Sequence, residues 1–119
     1  MNRIDYLQAV VESQRSPIEV FMNLNEKPES GIIVDVRIAE KAFLQEKIKG
    51  ALEISLIELP SKLDQLPQGR TIYVTTWSGA CTLAKQASLL LLDAGFSVIE
   101  IGGGNVAWKE SGLPMEEIA

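Results

Sequence analysis

An α/β fold, a small open and mostly parallel sheet with helices on both faces, follows from three features of the chain. Short runs rich in β-branched residues (32–36, 72–74 and 97–101) alternate with stretches of helical pattern, as strands of a parallel sheet alternate with their crossover helices. The connections between them are short and carry Gly, Pro, Asn and Asp, the residues that turn a chain. The length of 119 residues, with 46% hydrophobic and 23% charged side chains, fits one domain able to bury a core without disulfides.

Composition narrows the chemistry further. A net charge of −5 and a pI of about 4.7 oppose a polyanion-binding surface, which needs clustered Lys and Arg, so nucleic acid is not expected as a partner. No apolar run approaches the roughly 20 residues needed to span a bilayer. The start, MNRIDYLQ, has no apolar signal segment, and a cytoplasmic protein that does not enter membranes is expected. With one cysteine, Cys81, and no histidine, an internal disulfide, the usual zinc or haem ligand sets and any Cys–His or Ser–His catalytic pair within the chain are excluded. Neither a metal nor an organic cofactor is expected.

Taken in order, residues 2–13 place Ile4, Leu7, Ala9, Val10 and Val11 on a broad helical face with Asn2 as N-cap. Ser16-Pro17-Ile18-Glu19 starts a second helix with a cap, Pro at the first position and Glu three residues after the cap. That divides the chain into a helical extension, residues 1–15, and a main domain, residues 16–119. Turn chemistry at 25–31 leads into a strand over 32–36, whose end carries Asp35 and Arg37 at the edge where open α/β sheets hold their functional groups. A local salt bridge between these two is the simpler reading.

One or two helical turns are predicted over 39–45, a short strand near 52–54, and a short helix over 60–66, entered through Ser55 and Glu58 and closed by Pro67 and Gly69. The strand at 71–75 then runs through a loop into a long helix over 80–94, followed by Gly95, a strand at 97–101, Gly102 to Gly104 and a short helix over 105–111. Gly112-Leu113-Pro114 is expected to end the fold. The three glycines do not make a dinucleotide fingerprint, because they do not follow the first strand of a βαβ unit as GxGxxG.

The loop Thr76, Trp77, Ser78, Gly79, Ala80, Cys81 and Thr82 is the candidate site. The first N–H groups of a helix have no partner within it and carry the positive end of its dipole, so a loop feeding them can hold an anion. Gly79 permits the tight curl, and Trp77 is either a wall of the hollow or packing against a neighbouring loop. Trp108 reads as core, and Leu89 to Leu92 as core packing or a partner surface.

From about residue 16 onward the chain resembles the rhodanese-like domain family. Ile33-Val34-Asp35-Val36-Arg37 is similar to the family's LIDVR strand end, and Ile48-Lys49-Gly50-Ala51 to its HIPGA turn. Residues 76–95 are similar to its active-site segment, and Gly103-Gly104, Trp108 and Gly112-Leu113-Pro114 to its closing GGxxxWxxxGxP pattern. The resemblance implies a persulfide-carrying cysteine at the head of a CxxGxRS loop. With Gly79 on that glycine, Thr76 takes the cysteine position, Cys81 the arginine and Thr82 the serine.

Two readings result. In the first, the domain keeps the fold and the amide-lined hollow but lacks ordinary thiosulfate sulfurtransferase activity, and serves as an anion-binding or regulatory module. A threonine hydroxyl does not act as a thiolate near neutral pH. In the second, the chemistry moves to Cys81, at the start of the long helix, where the dipole and Lys47, Lys49 or Lys85 favour its thiolate, and the protein is a divergent sulfurtransferase or sulfur carrier. A small packed residue is the plain alternative for Cys81. The partners to consider are a small anion, a sulfur donor or a protein. Phosphatase chemistry, which related folds perform with CxxxxxR, ranks last because neither residue is in place.

Overall fold

The computed structural model describes residues 1–118. Its centre is a five-stranded parallel sheet of order β1-β6-β5-β2-β4, formed by β1 (Gln14–Arg15), β2 (Gly31–Asp35), β4 (Leu52–Glu53), β5 (Thr71–Thr75) and β6 (Ser97–Ile101). The register sets Ile33 beside Tyr73 and Ile99 on one face and Val34 beside Val74 on the other. Because side chains alternate along a strand, neighbouring residues serve two cores. Val34, Ile72 and Val74 pack beneath helix α3 (Leu83–Asp93), against Ala84, Ala87, Leu91 and Phe96. Ile33, Tyr73 and Ile101 meet Val20 of α2 (Pro17–Glu26) and Trp108 of α4 (Gly104–Glu110) on the opposite face. The sheet covered on both faces is the architecture the sequence implied.

Helix α1 (Arg3–Ser13) forms with Asn2 as its cap, the Asp5 N–H donating to Asn2 Oδ1 at 2.9 Å, yet none of its residues is buried. The chain next enters the sheet through β1, paired with β6, and the Arg15 carbonyl accepts the Gly102 N–H at 2.9 Å. The Ser16 cap operates as expected, with the Glu19 N–H donating to Ser16 Oγ.

Several elements differ from expectation. The long helix begins at Leu83 rather than residue 80, because the Cys81 N–H closes a turn onto the Ser78 carbonyl (3.1 Å). The helix expected over 60–66 is two 3-10 turns, Leu59–Ser61 and Leu63–Gln65, separated where Lys62 leaves helical geometry (φ −120°, ψ 14°). The predicted turns at 39–45 shrink to one 3-10 turn, Lys41–Phe43. The chain does not end its structure at Pro114, since β7 (Met115–Glu117) pairs antiparallel with β3 (Glu46–Ile48). Among the described residues no helix is long and apolar enough to cross a membrane.

Candidate functional site

The end of β2, the loop leaving β5 and the first turn of α4 meet at one edge of the sheet. Asp35, the last residue of β2, is 3% exposed, and Arg37 is 6% exposed. The guanidinium grips the carboxylate with two bonds, Nε to Oδ1 (3.0 Å) and Nη2 to Oδ2 (2.9 Å), while the Arg37 N–H also donates to Oδ1 (3.1 Å). Asn105 Nδ2 donates to Oδ2 at 3.2 Å. A carboxylate offers about four lone-pair directions, and here all are engaged, so Asp35 and Arg37 form a saturated buried pair. The salt bridge read from the sequence is present, and its reach extends to the loop. Arg37 Nη2 also donates to the Glu46 carbonyl (2.9 Å), and the guanidinium lies 4.4 Å from the centre of the Trp77 ring. Such a stack contributes about 0.5–2 kcal/mol, depending on desolvation. Trp77 therefore packs against the neighbouring strand end, as the second of its two expected roles had it.

Thr75, fully buried at the end of β5, donates from Oγ1 to Asn105 Oδ1 at 2.7 Å. The Asn105 N–H donates to the Thr76 carbonyl (2.8 Å) and the Val106 N–H to the Trp77 carbonyl (3.0 Å). Gly104 makes this approach feasible: its φ is +63°, and a Cβ there would lie 2.6 Å from the Thr76 oxygen and 3.0 Å from the Ser78 nitrogen.

Within the loop, Thr76 is 1% exposed and its Oγ1 lies 3.2 Å from Cys81 Sγ. Cys81 is half-buried and is the more exposed residue of the two. The loop does not place the Thr76 hydroxyl at the mouth of a hollow: the residue is sealed from solvent and its Oγ1 faces the Cys81 thiol. Ala80 donates its N–H to Ser78 Oγ (3.3 Å), and Gly79 stands beside Gly103. Thr82 precedes α3 without capping it; its Oγ1 accepts from Gln86 Nε2 at 3.1 Å. Among the described residues the N–H groups of Trp77, Ser78, Gly79 and Thr82 find no protein acceptor.

Two of the three lysines considered as cationic neighbours of Cys81, Lys85 and Lys47, are engaged elsewhere. Lys85 pairs with the buried Glu100 at 3.1 Å, and Lys47 donates to the Ala51 carbonyl (2.8 Å) and pairs with Glu116 (3.4 Å) and Glu53 (3.9 Å). Among the described residues no cluster of three or more His, Cys, Asp or Glu side chains is placed to hold a metal ion. A cleft of about 1460 Å³ opens beside Trp77, with Asp35, Arg37, Asn105, Phe43 and Val106 among its walls. Neither Thr76 nor Cys81 lines it. Sequence reasoning missed Thr75 and Asn105. The available signal was Asn105 three residues before Trp108, a polar side chain on the buried face of its helix.

A parallel sheet with helices on both faces, carrying a tight loop between a central strand and a helix at its edge, defines a class of small α/β domains. The chain belongs to the rhodanese-like domain family, whose pattern it matches over residues 18–111. It is 30% identical over 88 residues to a sulfurtransferase of Allochromatium vinosum, covering 73% of this chain and 79% of that protein. It is 33% identical over 85 residues to an HTH-type transcriptional regulator of Mycobacterium tuberculosis, covering 71% of this chain but only 37% of the regulator's length. Among solved structures, a full-length protein from Lactobacillus plantarum superposes with a TM-score of 0.91 at 29% identity, over 98% of this chain and 97% of that one.

Proposed function

We propose that this rhodanese-like domain lacks ordinary thiosulfate sulfurtransferase activity and acts as an anion-binding or regulatory module. The observation that carries the reading is Thr76. At the position where the family resemblance expects the nucleophilic thiol stands a hydroxyl that is 1% exposed. Sulfur transfer from thiosulfate requires a thiolate that attacks the outer sulfur, breaks the S–S bond, releases sulfite and holds the sulfur as a persulfide until cyanide removes it as thiocyanate. A buried hydroxyl with no histidine in the chain performs neither step. The unpaired N–H groups of Trp77, Ser78, Gly79 and Thr82 support retention of anion binding. A relative that is a transcriptional regulator is consistent with a domain of this kind serving regulation.

One observation favours a second reading, in which Cys81 carries the sulfur. The residue is half-buried, against 1% exposure for Thr76, and its sulfur lies 3.2 Å from the Thr76 hydroxyl. One experiment separates the two. The unaltered protein is incubated with thiosulfate, its intact mass is measured, and thiocyanate formation from cyanide is followed in parallel. We predict no thiocyanate above the uncatalysed rate and no added mass; a gain of one sulfur on Cys81, lost in Cys81→Ser, establishes the carrier reading instead.

A further inference from the structure

The Thr76 carbonyl shares its peptide group with the Trp77 N–H, and the Trp77 carbonyl shares its own with the Ser78 N–H. In a trans peptide these two groups point in opposite directions, and no cis peptide occurs among the described residues. The start of α4 takes both carbonyls, at 2.8 and 3.0 Å, so each of these N–H groups points opposite to the bond its own peptide carbonyl makes. The directions of the Trp77 and Ser78 amides are thus set by where α4 sits.

What fixes α4 there is the Asn105 side chain. Its carbonyl accepts from Thr75 at the end of β5 and its amide donates to Asp35 at the end of β2, so one side chain ties the helix to two adjacent strands. The orientation is unambiguous. Asp35 offers only acceptors, so the amide nitrogen must face it, and the Oδ1 left over faces the Thr75 hydroxyl. Asp35 is itself held by the bidentate Arg37. We propose that Asn105 is the positioning residue of the loop: by tying α4 to Thr75 and Asp35, it aims the Trp77 and Ser78 amides at the bound anion. This role rests on the anion-binding reading above.

The test uses the full chain, isotopically labelled, with thiosulfate as the probe and backbone amide resonances as the readout. In the unaltered protein the Trp77, Ser78 and Gly79 resonances should shift on titration. Asn105→Leu keeps the approximate volume and the backbone N–H but loses both side-chain bonds. It should weaken thiosulfate binding about tenfold, about 1.4 kcal/mol, and give residues 76–79 fast motion that the unaltered protein lacks. A variant that merely melts earlier, with unchanged affinity and an equally rigid loop, overturns the proposal. If the unaltered protein shows no thiosulfate shifts, the anion reading fails on its own. Loop motion in the variant then still decides the positioning role, loosened residues 76–79 supporting it and an unchanged loop refuting it. Should Asn105→Leu not fold, Thr75→Val, which removes only the hydroxyl facing Asn105, is read in the same way, with about threefold weaker binding expected.

Discussion

Residues 76–78 and residues 79–82 belong to one short loop, yet they are held in opposite ways. The first half is gripped from outside: the Thr76 and Trp77 carbonyls are bound by α4, its tryptophan is stacked on Arg37, and its threonine is sealed from solvent. The second half is held by local turns onto Ser78 and is half-buried or exposed throughout. The difference separates shape from reactivity. The clamped half sets the direction of the amides, and the open half carries the thiol. A buried Thr76 in the first half and a half-buried Cys81 in the second are the two features on which the functional readings divide.

Damage to the clamp should cost far more than damage to the open half. The largest effect is expected from Arg37→Met, which leaves the Asp35 carboxylate buried without its counter-charge. Removing one partner of such a pair destabilises by about 3–5 kcal/mol, and urea unfolding monitored by circular dichroism measures it. A loss under about 1 kcal/mol would mean that solvent already screens the pair. Next, Gly104→Ala places a Cβ against the Thr76 oxygen at positive φ and should cost about 2 kcal/mol or more. The matched change in the open half, Gly79→Ala, brings a Cβ only to 3.5 Å from Gly103 Cα, an ordinary contact, at no positive φ. Its cost should stay within about 0.5 kcal/mol. Equal losses at the two glycines would erase the distinction between the halves.

The sequence shows which parts of this arrangement are local. The strands at 31–35, 71–75 and 97–101 stand where their β-branched runs place them, and the Ser16 cap starts α2 because its signals lie within four consecutive residues. That a loop separates the strand at 71–75 from the following helix is local in the same way. What escaped depends on partners distant in the chain. The β3–β7 ribbon pairs Ile48 with Met115, and neither Glu46-Lys47 nor Glu116-Glu117 looks like a strand until the other lies beside it. Asn105 reads as an ordinary helix residue until β2 and β5 bring Asp35 and Thr75 to either end of its amide. Helix α1 shows the converse. Its propensity and cap predicted its existence correctly, but not that its apolar side chains Ile4, Leu7 and Val11 would stay exposed.

The most direct trial of the central claim, that a hydroxyl stands where a sulfur-transferring thiol would act, is to restore the thiol. In Thr76→Cys alone the new sulfur would face Cys81 at close range, given the present 3.2 Å separation of Oγ1 and Sγ. The informative variant therefore combines Thr76→Cys with Cys81→Arg, which restores the cysteine and arginine of the family's loop and removes the second thiol. Thiocyanate formation from thiosulfate and cyanide should be at background in the unaltered protein and clearly above it in the double variant. Turnover in the unaltered protein that disappears in Cys81→Ser would contradict the account.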